Sequence, residues 1–166
     1  AFSDSLELYT QCMYQYELRI LSQKEDYNTP YQVVRGFNTR WWHTRAGRLD
    51  ATIHDSKEYL QFLVNGTEVG RAEVIDCELA ADYDGIDKPI TTKEITFFEI
   101  RDDVRRCGYG TAFAQRIATR YTGTLVIAFS EDADLFWSGI GWVHFRRKDG
   151  EGWPNWRSLF ASQSIS

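Results

Sequence analysis

Hydrophobic and polar residues alternate along several short stretches of this chain, and each of these stretches predicts a β-strand. Strands are predicted at about residues 14–21, 59–64, 68–78, 92–100, 124–129, 143–147 and 156–161. Asn65-Gly66, between the second and third of these stretches, is a strong signal for a hairpin turn. The stretch 80–88 is rich in Asp and predicts a loop. Predicted strands therefore recur from residue 14 to residue 161.

Other stretches carry apolar residues at helical spacing. One begins at Thr29-Pro30, a typical helix start, and places Phe37 and Trp41 near one face. A second follows residue 108 and ends at Thr122-Gly123. A short helix is also predicted before residue 14. Together these elements predict an α/β fold, a mixed and mainly antiparallel sheet flanked by helices.

The sequence Arg105-x-x-Gly108-x-Gly110 joins a predicted strand directly to a predicted helix. The first turn of a helix has N–H groups without an internal partner, and glycine allows a phosphate to approach them closely. The alternative is a glycine turn that binds no ligand. A dinucleotide-binding fingerprint would need a third glycine where Phe113 stands, and the Gly-Lys-Ser/Thr of a Walker loop is absent.

This turn, between a strand and a helix, resembles the coenzyme A pyrophosphate loop of the GCN5-related N-acetyltransferases (GNAT). The stretch 133–142, which contains the aromatic pair Phe136-Trp137, resembles the late helix of the same family. The resemblance covers about residues 59–145. It implies a GNAT-like fold in a single domain formed by residues 1–166, with residues 1–12 as an N-terminal extension.

The resemblance implies an acetyl-CoA-dependent N-acetyltransferase in which an amine attacks the thioester directly in a ternary complex. The backbone N–H of Ile100, at the end of the strand before the turn, would stabilise the oxyanion. The residues implied in CoA binding lie on that strand, in the glycine turn and in the late helix: Phe98, Ile100, Arg105, Arg106, Cys107, Gly108, Tyr109, Gly110, Thr111 and Trp137.

Two glutamates on the strand before the turn are the candidates for the general base. Glu94 precedes Arg105 by eleven residues, which is the spacing of the base in the histone-acetyltransferase branch of the family, and it therefore ranks first. Glu99 lies nearer the turn but on the opposite face of a regular strand. A β-bulge between the two glutamates would reverse that geometric distinction.

The general acid stays unassigned at this stage. Many family members carry a tyrosine in the late helix, where this chain has Phe136-Trp137, and the family's asparagine before that helix is Ser130 here. Tyr109 or a water molecule are the substitutes. The same departures also fit a protein that keeps the fold and has lost catalysis.

A basic and aromatic segment lies within residues 27–49, which contain no Asp or Glu. In the resembled family this region forms part of the acceptor groove, so the implied substrate-binding residues are Arg40, Trp41, Trp42 and Arg45. The alternative is a helix pair with core aromatics and solvated arginines. This segment also suggests a second function, acetylation of an RNA-borne amine as in some toxin members. A catalytically inactive CoA-binding or structural module is the third.

Composition narrows the setting of these functions. The chain has 166 residues and a net charge of −5, which excludes a general polyanion binder. Three scattered cysteines favour a reducing compartment, and scattered histidines offer no metal-ligand spacing. No apolar run is long enough to span a membrane. The expectation is a cytoplasmic monomer or homodimer that acts on a protein, peptide or small-molecule amine and uses no metal.

Overall fold

The computed structural model of the protein describes residues 14–22, 29–45 and 57–163. Within them one seven-stranded sheet has the strand order β1-β2-β3-β4-β5-β7-β6. The strands are β1 Tyr16–Leu21, β2 Glu58–Val64, β3 Thr67–Leu79, β4 Ile90–Ile100, β5 Leu125–Phe129, β6 Val143–Phe145 and β7 Leu159–Ala161. Only β4 and β5 pair in parallel, and the other five neighbouring pairs are antiparallel. The mixed, mainly antiparallel α/β sheet is confirmed.

Two α-helices connect the later strands. The helix α1, Tyr109–Arg120, joins β4 to β5 and provides the crossover that a parallel strand pair requires. The helix α2, Asp134–Gly139, joins β5 to β6. The buried side of α1, which includes Phe113 and Ile117, packs into the core on one face of the sheet. None of the helices in the described ranges is long and apolar enough to cross a membrane.

The two faces of the sheet differ in what covers them. One continuous apolar core, which includes Val74, Ile95 and Phe113, lies on the face that carries α1. The opposite face carries two separate clusters, one around Trp42 and the other around Ile127. The covering of this second face is therefore interrupted, which leaves room for polar side chains.

A β-bulge in β4 decides which β4 side chains point to that second face. Glu73 of β3 pairs with Phe97 and Val74 pairs with Ile95, so Thr96 is the extra residue of β4. Because of this extra residue, Glu94 and Glu99 both lie on the face opposite α1. The bulge named as the alternative in the sequence analysis is therefore present.

The prediction of a helix that begins at Thr29-Pro30 is wrong. Residues 31–38 are irregular, and only a π-helical turn, Trp41–Arg45, follows them. Tertiary anchors override the helical pattern here: the Tyr31 hydroxyl donates to the backbone carbonyl of Ala72 (2.8 Å). The Asp102 N–H also donates to the carbonyl of Gly36 (3.0 Å). The helix predicted before residue 14 lies outside the described residues.

The last two strands are shorter than predicted. β6 ends at Phe145 because the next residues bond to the loop after β3. The Asp84 N–H donates to the carbonyl of Arg146, and the Lys148 N–H donates to that of Asp82, both at 2.8 Å. Residues 146–158 thus form a long loop, here called the β6–β7 loop, at the end of the sheet where β5 ends.

Candidate active site

The glycine turn opens α1 with a left-handed residue. Gly108 precedes the helix with φ +80°, a conformation that a side chain would strain, and no side chain caps the helix. The Ala112 N–H donates to the carbonyl of Gly108 (3.2 Å), so the N–H groups of residues 109–111 precede the helical ladder. Those N–H groups and the helix dipole form an anion-binding geometry.

A cavity of about 460 Å³, here called the glycine-turn cavity, lies against this turn. Thr111 and both glycines of the motif line it, together with the end of β4 and Phe136 of α2. A Cβ added to Gly110 would stand 2.9 Å from Cε2 of Phe136, so a larger residue would displace that ring. Gly110 therefore lets the turn approach α2 closely.

A second cavity adjoins the first where β4 and β5 part. The parallel ladder ends at the pair Glu94 and Ile127, although β4 continues to residue 100 and β5 to residue 129. The second cavity, of about 1000 Å³ and here called the β5-end cavity, lies beyond that point and is lined by Ser130 and Trp153. It shares Arg105, Arg106, Ala133 and Phe136 with the glycine-turn cavity. The two cavities thus meet at the turn.

Glu99 lines the glycine-turn cavity, but both its carboxylate oxygens are engaged. Oε1 accepts hydrogen bonds from the backbone N–H of Asn38 and from Nε1 of Trp42, both at 2.8 Å. Oε2 lies 3.6 Å from a guanidinium nitrogen of Arg105, and the residue is only 8% exposed. This carboxylate therefore ties the π-helical turn to β4 and to the glycine turn.

Glu94 lies in a different cavity, of about 680 Å³, which is here called the Glu94 cavity. Cys77, Tyr83 and Trp156 also line it. Burial raises the pKa of Glu94 from its ordinary value of 4.5, and a hydrogen bond with Cys77 and the charge of Arg157 offset part of that rise. A carboxylate with a raised pKa that faces a cavity is a candidate general base.

The predicted substrate-binding residues do not line one common pocket. Trp41 lines the glycine-turn cavity, whereas Trp42 is fully buried, with its ring 4.8 Å from that of Tyr31. Arg40 is exposed to solvent. The backbone of Arg45 belongs to the π-helical turn, and its side chain lies outside the described part of the structure.

Three residues predicted to bind CoA have side chains that do not line the two cavities at the turn. Cys107 is exposed. The ring of Tyr109 stacks edge-on against Tyr14, at a centroid distance of 6.3 Å. Trp137 lies in the apolar core, 4.7 Å from the ring of Trp142, and its neighbour Phe136 lines the cavities instead.

The β6–β7 loop carries functional candidates that the sequence analysis missed. Trp153 is 69% exposed and Trp156 is 47% exposed, which is unusual for tryptophan. The guanidinium of Arg147 lies 3.8 Å from the ring centroid of Trp156. These side chains line a further cavity of about 520 Å³, the loop cavity, which shares Trp156 and Arg157 with the Glu94 cavity. The sequence does carry a signal for this site, because two tryptophans stand in a turn rich in Gly, Pro and Asn, where exposed aromatic side chains are expected.

Comparisons with known proteins identify the fold that carries this site. No family model matches the chain, and no curated protein matches it either. A solved tyrosine-to-phenylalanine mutant of KacT matches with a TM-score of 0.60 and 12% identity over 88% of this chain and 94% of that chain. This chain has the GNAT fold.

Two further solved structures support the assignment of the GNAT fold. AtaT complexed with acetyl-methionyl-tRNAfMet matches with a TM-score of 0.59 and 14% identity, over 88% of this chain and 94% of that chain. AtaTR bound with AcCoA matches with a TM-score of 0.58 and 14% identity, over 87% and 92% of the two chains. The TM-scores of these matches establish the fold of the chain. Because the sequence identities are low, the matches do not establish its activity, which is argued below from the chemistry of the site.

Among the described side chains, no group of His, Cys, Asp and Glu is arranged to hold a metal ion. The residues that could hold a ligand are those of the glycine turn, where N–H groups, two arginines and an aromatic wall converge. This set suits a phosphate-bearing molecule that also has an apolar portion.

Proposed function

We propose that this protein is an acetyl-CoA-dependent N-acetyltransferase. The observation that carries the proposal is the glycine turn, which opens α1 and lines a cavity that borders the end of β4 and adjoins the β5-end cavity. AtaTR, which has the same fold, is described as bound with AcCoA, and this supports the choice of acyl donor.

The glycine turn would bind the pyrophosphate of the donor. The backbone N–H groups of residues 109–111 supply hydrogen bonds, and Arg105 and Arg106 supply positive charge. Each charge-assisted bond of this kind contributes about 1.5–3 kcal/mol. Acetyl-CoA supplies the activated acetyl group, and the N–H of Ile100 at the end of β4 would stabilise the negative charge on its carbonyl oxygen.

Glu94 would take a proton from the acceptor amine. An amine with a pKa of about 10.4 is almost fully protonated at pH 7, which opposes formation of the nucleophile by about 4.6 kcal/mol. Glu94 faces a cavity, has a raised pKa and lies where the β4–β5 ladder ends. Glu99 is the weaker candidate because its Oε1 already accepts two hydrogen bonds and its Oε2 lies 3.6 Å from the guanidinium of Arg105.

The substitution Gly110→Asp tests the donor site. Its Cβ would meet Phe136 and its charge would repel a phosphate, so calorimetry should show CoA affinity reduced by at least a hundredfold. Gly139→Asp is the matched control, because it adds the same charge at an exposed position where a Cβ meets nothing within 4 Å. This control should bind CoA like the wild type. Absence of CoA binding by the wild type at millimolar concentration would end the proposal.

An RNA-borne amine is the second candidate acceptor, and the loop cavity favours it. Exposed Trp153 and Trp156 offer faces for base stacking, and Arg146 and Arg157 offer charge for phosphates. Through Trp156 and Arg157 this cavity adjoins the Glu94 cavity, so RNA bound there would lie beside the candidate base. AtaT, which has the same fold, is described as complexed with acetyl-methionyl-tRNAfMet.

Two charge-matched double variants test the RNA candidate. Arg146→Gln with Arg157→Gln should weaken RNA binding and reduce its logarithmic salt dependence by about 1.4, at about 0.7 per lost phosphate contact. Arg35→Gln with Arg40→Gln removes the same charge from the basic segment and should leave RNA binding unchanged. The reverse result would move the RNA surface to that segment. CoA binding without turnover of any amine would favour the inactive module.

A further inference from the structure

The aromatic residues at the turn, Phe136 and Tyr109, offer no hydrogen bond to the sulfur that leaves when the acetyl group is transferred. Phe136 lines both cavities at the turn but has no proton to donate. The ring of Tyr109 lies against Tyr14 and lines neither cavity. A thiol of pKa about 8.5 leaves as a thiolate at neutral pH, and a hydrogen-bond donor would stabilise that charge.

Ser130 lies where such a donor is needed. It follows Phe129 at the end of β5, lines the β5-end cavity and is only 3% exposed. Its backbone N–H donates to the carbonyl of Ser158 (2.8 Å), which fixes its position against the start of β7. The side chain is therefore held rigidly at the point where β4 and β5 have parted.

Within the described part of the chain, the hydroxyl of Ser130 acts only as a hydrogen-bond acceptor. Its Oγ accepts a hydrogen bond from the backbone N–H of Ala133 (3.1 Å), which leaves the single O–H as donor. No acceptor for that O–H occurs among the residues that the structure describes. Ser158 lines the same cavity but differs, because its hydroxyl donates to Oδ2 of Asp134 (3.0 Å).

We propose that the Ser130 hydroxyl donates a hydrogen bond to the sulfur of CoA as the acetyl group leaves. This inference rests on the proposed function. In the step, the amine nitrogen forms a bond to the acetyl carbon while its proton passes to Glu94. The C–S bond breaks and its electron pair stays on sulfur, which remains a thiolate hydrogen-bonded to Ser130 until solvent protonates it.

The positions of Ser130 and Glu94 suit these two tasks. Glu94 pairs with Ile127, and Ser130 is three residues further along the same strand direction. At about 3.3 Å per residue, Ser130 lies about 10 Å further along the strand direction than Glu94. That separation accommodates an amine, the acetyl group and the sulfur between the proton acceptor and the hydrogen-bond donor.

The experiment measures the pKa of the thiol of CoA bound to the protein, from the ultraviolet absorbance of its thiolate. Ser130→Ala should raise this pKa by about one unit relative to the wild type, which is a tenfold loss of preference for the thiolate. Ser158→Ala is the matched control and should leave it unchanged, because the Ser158 hydroxyl is already engaged. Ser130→Thr keeps the hydroxyl and should restore the wild-type value.

Turnover gives a second measure. Ser130→Ala should lower kcat about tenfold and leave the KM for the amine unchanged, since the lost bond forms only as the sulfur leaves. An unchanged thiol pKa in Ser130→Ala that still binds CoA would overturn this inference alone. Equal shifts in Ser130→Ala and Ser158→Ala would also overturn it, because they would indicate a general effect on the cavity. Failure of the wild type to bind CoA would instead refute the proposed function.

Discussion

Glu94 and Glu99 lie on the same strand and on the same face of the sheet, yet their surroundings are opposite. Glu99 is nearer the glycine turn, and its two oxygens face donors from Asn38, Trp42 and Arg105. Glu94 faces a cavity, and burial raises its pKa. Distance from the turn alone is therefore not the ground on which Glu94 is proposed as the base. The proposal rests on free acceptor capacity, because Oε1 of Glu99 already accepts two hydrogen bonds whereas Glu94 lines a cavity.

The two carboxylates therefore serve different purposes. Glu99 connects the π-helical turn, which brings Trp41 to the glycine-turn cavity, with β4 and with Arg105. Its contribution is to stability and to the position of the glycine turn. Glu94 lines a cavity instead, where a ligand would reach its carboxylate.

The largest effect is expected from Glu94→Gln. This change keeps the size of the side chain and removes the proposed base, so turnover should fall by about 10²–10⁴-fold while CoA affinity stays the same. The acidic limb of the pH–rate profile should disappear with it. Glu99→Gln is the matched control and should lose less than about tenfold, since its amide oxygen still accepts from Trp42. A collapse of turnover in the Glu99 variant only would reverse the two assignments.

The next largest effect concerns stability. Here the substitution of Glu99 should have a larger effect than the substitution of Glu94. Glu99→Ala leaves the N–H of Asn38 and the buried Nε1–H of Trp42 without their acceptor. Unpaired buried donors cost about 1–3 kcal/mol each, so the free energy of unfolding should fall by about 2–4 kcal/mol in urea denaturation. Glu94→Ala should change it by less than about 1 kcal/mol. Similar losses in both variants would mean that Glu94 is also a structural anchor.

The sequence predicts the sheet well because its strands carry local signals. The β2–β3 hairpin follows from Asn65-Gly66, whose residues adopt positive φ angles of 50° and 80°. The segment after Thr29 was mispredicted because its conformation depends on distant partners, such as the carbonyl of Ala72 that accepts from Tyr31. A helical pattern cannot report such contacts.

The candidate site was predictable only in part, for a related physical reason. The spacing of the glycine turn marks Glu94, but the bulge at Thr96 that sets its face has no local sequence signal. Ser130 and Trp153 meet in one cavity because β5 pairs with β7, which are far apart in sequence. Pairing of this kind becomes visible only when the chain is folded.

The smallest effect is expected in the pH dependence of stability, to which the carboxyl group of Glu94 contributes a single proton. Burial raises the pKa of folded Glu94 above its ordinary value of 4.5, so folding favours the protonated form. The free energy of unfolding of the wild type should therefore fall as pH rises from the unfolded pKa through the raised folded pKa. Below that window the carboxyl is neutral in both states and this contribution to stability is complete.

The variant Glu94→Gln isolates this proton, because its amide does not titrate. Relative to the wild type, the variant should gain stability as pH rises through the window, and the difference should then remain constant. Urea denaturation of both proteins from about pH 4 to about pH 8 spans the titration of a carboxyl with a raised pKa. A variant that instead loses relative stability with rising pH would show that donors stabilise the ionised Glu94. Its surroundings would then resemble those of Glu99, and the distinction between the two carboxylates would fail.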